Sequence, residues 1–528
     1  MAEIRGQKSD NRPRLKGGIS LCSTTRNPQP IFFSLFCRTM LRHLLFVVFI
    51  AFAPLILSAQ QFDFNANCRQ AYQSLMALEL NQAKQQIQLE TKQHPGNAIP
   101  ILLENYHDFL TIYTLDTWAA FEQRKKQKEV RIELLAAGDQ SSPYYYYSMA
   151  EVHVQWAALN IRFGEYLSAI FDIKKAYGYL SENQKRFPDF QANNKPLGLL
   201  YALIGSVPDK YKWGLNLLGL DGNVDQGLNR LKNLLVYSKT NDFIFKEETA
   251  TIYSFLLFHL KNDKEAAWQT LQEHQFSERN RLQLYALAHV GIYGKHNEEA
   301  KQLLQQSAQN FGTFHQLNYL FGLAKIHTLD TTAADNIKRF LTNYKGDNHL
   351  KSAYQKLGWC ALLNKDTANY YQWLNKAENL GNTMVEADKQ AAKEAASNKM
   401  PNIQLLQARL LFDGAYYDKA FQQINLLDEQ ALTNTALKTE YYYRKGRILH
   451  EWNKLEAALL NYDKTMSTGK NLPLYFAANA SFESGQIWEK KGDTAKAKEY
   501  YQNCLAYPEH EYKNSIDQKA KVALSRIK

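Results

Sequence analysis

One spacing constrains this chain more than any other feature. Gly485 and Ala497 stand twelve residues apart, Trp488 follows the first by three, and Tyr501 follows the second by four. Gly492 falls between them and Pro508 beyond. Shifted back 39 residues, the order returns as Gly446, Leu449, Ala458 and Tyr462. A further shift of 38 gives Ala408, Leu411, Ala420 and Ile424, with Gly414 near the turn. Antiparallel helices cross closely only where side chains are small, and a large residue one turn on fills the groove beside the crossing. A hairpin of this kind cannot bury its apolar face alone, so it needs neighbours on both sides. Composition agrees. Glycine and proline, 25 and 13 of 528 residues, are too few for a turn-rich all-β chain. Five cysteines are too few for a disulfide-built scaffold.

The same rule reads upstream with less regularity. Ala267, Ala300 and Ala334 are spaced 33 and 34 residues apart, followed four later by Leu271, Leu304 and Lys338. At the third of these the large residue is missing. Leu357-Gly358 with Leu374 and Ala377 suggests another unit, with Tyr370 where a small residue should stand. Ala71, Ala83, Ile87 and Pro95 fit near the start, as do Gly164, Ala169, Ile173 and Ala176. The register between 98 and 260 stays open. Val385 to Ser397, VEADKQAAKEAAS, has high helix propensity and little apolar face, which predicts an extra exposed helix.

This pattern resembles the tetratricopeptide repeat family, whose 34-residue unit carries the same small–large–small order. The resemblance implies an all-α, right-handed superhelical solenoid of antiparallel hairpins without β-sheet, roughly ten or more in number. It also implies that the first helix of each unit lines a concave face. Counted from Ala408, Gly446 and Gly485, the candidates there are Arg409, Phe412, Tyr443, Arg447, His450 and Phe482. Arginine beside aromatics suits an extended peptide, held by stacking and charge-assisted hydrogen bonds.

A second, local resemblance covers residues 193–235, where glycine is dense. Gly205-Ser206-Val207-Pro208, Gly219-Leu220-Asp221-Gly222-Asn223 and Gly227-Leu228 are similar to a break, turn and helix of the inclusion-body-clearance family and its animal tetratricopeptide relatives. That family implies lipid-droplet-linked protein handling and no catalytic site. The residues themselves read first as a buried helical pair whose glycines allow close packing. The sharper alternative is an apolar groove for a lipid chain or hydrophobic peptide.

Leu44 to Leu57 is an unbroken apolar run, preceded by Arg42-His43 and followed by Ser58-Ala59. At about 1.5 Å per residue it is too short for a hydrocarbon core, and it matches a secretory signal starting at Met40 and cleaved near Ala59. Residues 1–39 are then a non-native or disordered extension, unless translation truly starts at Met1. The expected divisions are 40–59 signal peptide, 60–240 N-terminal helical region, 241–400 central repeats with the extra helix at 385–398, and 401–528 C-terminal repeats. Residues 1–59 carry eight of the 63 basic and two of the 52 acidic residues, so the net charge of +11 falls to +5 beyond them. Such a charge gives little pull on nucleic acid.

Chemistry finds no foothold in the motifs. There is no His-Glu-x-x-His, no Cys-x-x-Cys, no Gly-x-Ser-x-Gly and no phosphate-binding Gly-x-x-x-x-Gly-Lys-Ser/Thr. Cys68, Cys360 and Cys504 read as buried small hydrophobes. The expectation is therefore an exported, non-catalytic scaffold without metal or cofactor, in a bacterial periplasm or at the cell surface, binding a protein or peptide. A lipid- or membrane-associated adaptor stands second and an enzyme without a recognisable motif third.

Overall fold

A computed structural model describes residues 60–207, 215, 218–274 and 280–527. The expected signal peptide, the choice between Met1 and Met40, and Pro208 lie outside the described residues. From residue 60 on, the chain forms one compact unit. Among the described residues there are no strands, only isolated bridges from Gln60 to Gly138 and Gln61 to Asn97.

The first helices are α1 (Ala66–Met76), α2 (Leu80–Gln93), α3 (Ile99–Leu115), the short α4 (Trp118–Lys125) and α5 (Gln127–Ala136), and the long α6 (Pro143–Arg162) and α7 (Tyr166–Arg186). There follow α8 (Asn194–Gly205), α9 (Val224–Tyr237), α10 (Lys246–Leu256), α11 (Lys264–Glu273), α12 (Arg281–Tyr293) and α13 (Asn297–Gln306). The series continues as α14 (Gln316–Ile326), α15 (Ala333–Asn343), α16 (Leu350–Leu363), α17 (Thr367–Asn379) and α18 (Glu386–Ser397). It ends with α19 (Ile403–Asp413), α20 (Tyr417–Ile424), α21 (Thr435–Glu451), α22 (Leu455–Gly469), α23 (Phe476–Lys490), α24 (Thr494–Ala506) and α25 (Lys513–Arg526). Successive helices pair as antiparallel hairpins, from α1 with α2 to α23 with α24, and α25 closes the stack. The open register is settled: α4 and α5 interrupt the series between α3 and α6.

The hairpin turns explain the local sequence. A left-handed residue precedes the second helix at Asn262, Lys365 and Gly492, and the next residue, Asp263, Asp366 or Asp493, caps that helix with its carboxylate. The left-handed residue reverses the chain, and the carboxylate satisfies an N–H that the helix cannot.

The small residues sit at the crossings. Ala83, Ala267, Ala300, Ala420, Ala458 and Ala497 are fully buried. A Cβ at Gly446 would meet the Tyr462 ring at 2.7 Å, and one at Gly485 the Tyr501 ring at 2.6 Å. Two units correct the sequence reading. In α15 the buried pair is Ala333 and Ile337, one residue earlier than Ala334 and Lys338, so the large residue is present. At Gly358 the ring of Tyr370 itself lies against the glycine, 3.2 Å from its Cβ position, and takes the place of both the small and the large residue.

In the 193–235 segment, α8 and α9 form the buried pair expected of the glycines. A Cβ at Gly198 would strike Leu231 at 2.7 Å, and one at Gly227 the Gly198 carbonyl at 2.5 Å. Cys68, Cys360 and Cys504 are free and buried. Burial pushes each thiol up to about 12.

The stack also curls back on itself. Arg281 at the head of α12 donates to the Ala77 carbonyl at 3.1 Å, 204 residues away. Asp116, in the left-handed turn after α3, accepts from Arg162 Nε at 2.6 Å and Asn348 Nδ2 at 3.0 Å, and from the Tyr344 hydroxyl. In a simple solenoid each repeat touches only its neighbours; here the first hairpins also touch repeats far along the chain.

Candidate functional site

Six helices, α16, α18, α19, α21, α23 and α25, surround a cavity of about 850 Å³. Phe412, Tyr443, Tyr475, Phe476 and Tyr512 supply aromatic walls. Their rings are coupled edge to face or tilted, with Tyr443 to Phe476 at 5.0 Å, Tyr475 to Phe476 at 4.5 Å and Tyr475 to Tyr512 at 5.4 Å. Such a ladder gives rigid contact area at low entropic cost. The charges interleave: Glu386, Glu394, Asp413 and Glu483 against Arg409, Arg444, Arg447 and Lys519.

Of the six sequence candidates, Arg409, Phe412, Tyr443 and Arg447 line this cavity. Arg447 is not a free guanidinium. It pairs with Glu483 and lies 3.5 Å from Glu451, stacked over Phe412 at 5.5 Å. Arg409 is held loosely, 3.7 Å from Asp413 and 5.1 Å over the Trp359 ring, with a third of its side chain exposed. The Tyr443 hydroxyl accepts from Asn479 at 2.8 Å.

His450 and Phe482 fall outside the lining. His450 Nδ1 lies 3.2 Å from the Tyr462 hydroxyl, and burial, reinforced by Arg447, lowers the imidazole to about 4, so it is neutral at physiological pH. Phe482 is in the core, packed on Tyr501 at 5.6 Å. At 3.6 residues per turn its position falls in the α23–α24 crossing, beside Ala497 and Tyr501.

The inserted helix α18 forms one wall and is not simply exposed. Asp388 and Ala391 are fully buried, and Asp388 accepts from the backbone N–H groups of His349 at 2.6 Å and Ser352 at 2.8 Å, capping α16. Glu394 accepts from Trp359 Nε1 at 2.9 Å and Gln355 Nε2 at 2.6 Å. Across the rim, Lys393 lies 4.3 Å over Tyr512 and 3.6 Å from Glu511. Glu386, Gln390 and Glu394 recur every four residues and so share one helix face, but nothing in the sequence turns that face toward a cavity. Tyr475, Tyr512 and Lys519 gave no comparable pattern.

No family model matches this chain, and no curated protein matches it. Among solved structures it is similar to the TPR domain of P58(IPK), at 15% identity over 77% of this chain and 97% of that one, with a TM-score of 0.21. It is similar to the human IFIT1 dimer with m7Gppp-AAAA at 13% identity, over 84% and 90%, TM-score 0.29. It is also similar to yeast Tom70 at 13%, over 80% and 96%, TM-score 0.22. The chain is an all-α helical-repeat protein, and its hairpin crossings and capped turns resemble those of tetratricopeptide repeats.

Proposed function

We propose that this protein is an exported, non-catalytic scaffold that holds an extended segment of a partner protein in the C-terminal cavity. The observation that carries the reading is the cavity itself: an aromatic ladder beside interleaved charges, walled by the concave helices of successive repeats and by α18. Its ionisable groups are engaged structurally, Arg447 with Glu483, Arg444 with Glu440 and Glu394 with Trp359, which suits recognition better than proton transfer. Export rests on the apolar run Leu44–Leu57 with its small-residue exit at Ser58-Ala59.

Photo-crosslinking groups at Phe412 and at Tyr512, in the intact protein in its native cell, should capture the same partner. Capture should be lost on Arg409→Glu with Lys519→Glu while the circular dichroism stays unchanged. A group at Leu167, 75% exposed on α7, serves as background. Capture at the cavity no better than at Leu167 overturns the reading. N-terminal sequencing should begin at Gln60, and an intact Met1 overturns export by cleavage.

A further inference from the structure

A second concavity of about 350 Å³ lies in the N-terminal half, between α3, α6, α8, α10 and α12. Its walls are apolar: Phe109, Leu110, Leu199, Ile252, Phe255 and Leu256 are typical. That size sits at the lower end of pockets that hold small ligands or single large side chains. Its polar groups are few and unusual. Gln283 is 2% exposed, yet neither its Oε1 nor its Nε2 has a hydrogen-bond partner. Gln155, 5% exposed, accepts from Asn105 at 2.7 Å, while its Nε2 is unpaired. A buried amide left unpaired has lost its hydration without replacement, and a fitting ligand restores the missing hydrogen bonds.

The pocket also selects by charge. Glu151, Glu247 and Glu248 stand against one ammonium, Lys195. Lys195 is spent on Glu151 at 3.1 Å, Glu248 at 2.7 Å and the Tyr106 hydroxyl at 2.9 Å. Glu247 accepts from Asn280 at 2.8 Å; burial raises its carboxyl, and the Asn280 amide and the nearby Gln283 amide, the latter outside hydrogen-bond geometry, oppose the rise without overcoming it. The helix N-termini facing the pocket are already answered, α12 by the Asn280 cap and α10 by Glu247 and Glu248 in its first turn. An anionic head is therefore repelled.

We infer that this pocket is a second peptide site, which takes a large apolar side chain of an extended, uncharged polypeptide segment whose peptide group pairs with the Gln283 carboxamide. The amide offers one acceptor and two donors, and a peptide unit offers the complementary N–H and C=O. The apolar walls bury the side chain beside it. The site is separate from the C-terminal cavity, and neither depends on the other being occupied.

The test is calorimetric titration of the intact protein with an acetylated, amidated tripeptide of leucine, leucine and phenylalanine. Its analogue with an ester in place of the central amide, and laurate, are titrated alongside. The tripeptide should bind, and the ester, lacking the N–H, should bind about five- to tenfold more weakly. In Gln283→Met, which removes two unpaired buried polar atoms and should fold, tripeptide and ester should bind equally. Arg409→Glu with Lys519→Glu should leave this binding unchanged. The inference fails if the tripeptide does not bind at millimolar concentration, if Gln283→Met leaves the amide–ester difference intact, or if laurate binds as tightly as the tripeptide.

Discussion

The glycines show how one residue type carries opposite consequences on different helices. At Gly446 and Gly485 the missing Cβ is the space in which the Tyr462 and Tyr501 rings lie. Both tyrosines are fully buried, so the rings have little room to withdraw. Gly446→Ala and Gly485→Ala should each lower stability by about 1–3 kcal/mol, the usual range for an overpacked core. Gly178, within α7, has nothing within 4 Å of its Cβ position. There the same substitution only relieves the entropic penalty of glycine in a helix, and Gly178→Ala should raise stability by about 0.5–1 kcal/mol. Urea unfolding of the three variants checks both signs. At this scale the sequence was legible at Gly446 and Gly485, where spacing carries the information. It misled at Ala334, because the connection from α14 to α15 runs over six residues, 327–332, where the C-terminal hairpins turn in three, and the register shifts with it.

At the scale of the element, α18 is the instructive case. Its alanines and charges give it helix propensity, which is local and readable. Which face it would bury was not readable, because Asp388 reads as a solvent-facing acid until α16 presents its N–H groups to it. Burial raises the Asp388 carboxyl, and those two backbone donors oppose the rise without overcoming it. Asp388→Ala should cost about 2–4 kcal/mol, since it leaves two N–H groups unpaired beneath the helix. It should also loosen the cavity wall. Hydrogen exchange at Ser352 and over residues 386–397 measures both, and protection equal to that of the unmodified protein would count against the capping role.

The whole molecule is held by contacts that join distant repeats. Lys195, 1% exposed, gathers Glu151 from α6, Glu248 from α10 and Tyr106 from α3, and Tyr72 of α1 donates to Glu248 at 2.7 Å. Burial alone would lower the Lys195 ammonium, but the two carboxylates outweigh it and raise it. Lys195→Met strands two carboxylates in this core and should cost about 3–5 kcal/mol. Adding Glu151→Gln and Glu248→Gln should restore part of that loss in thermal unfolding. The histidines set the acid response. Burial lowers His289 to about 3 and His327 and His349 to about 4, so each is neutral in the folded state. Their folded values lie below the unfolded one near 6.5, so unfolding takes up protons as the pH falls from about 6.5 toward 4. Stability should thus be full above that window and decline through it. His327→Gln should reduce proton uptake on unfolding at pH 5 by about one, read from the slope of unfolding free energy against pH.

The sequence by itself determined the hairpin pairing of the C-terminal repeats and the close packing of α8 on α9, because both follow from short-range spacing of small and large residues, while it left the register between 98 and 260 open. The resemblance to tetratricopeptide repeats also put Arg409, Phe412, Tyr443 and Arg447 on one face, and those four share the lining of one cavity. Tertiary structure decided what that face is. Arg447 is neutralised by Glu483, a residue 36 positions on; Phe482 is turned into the next crossing; and α18 supplies a wall from outside the repeat. The Lys195 cluster and the unpaired amide of Gln283 were equally invisible, because they arise where helices from distant repeats converge. Contacts of that kind depend on how the stack curls, a property of the summed packing angles that no single repeat encodes.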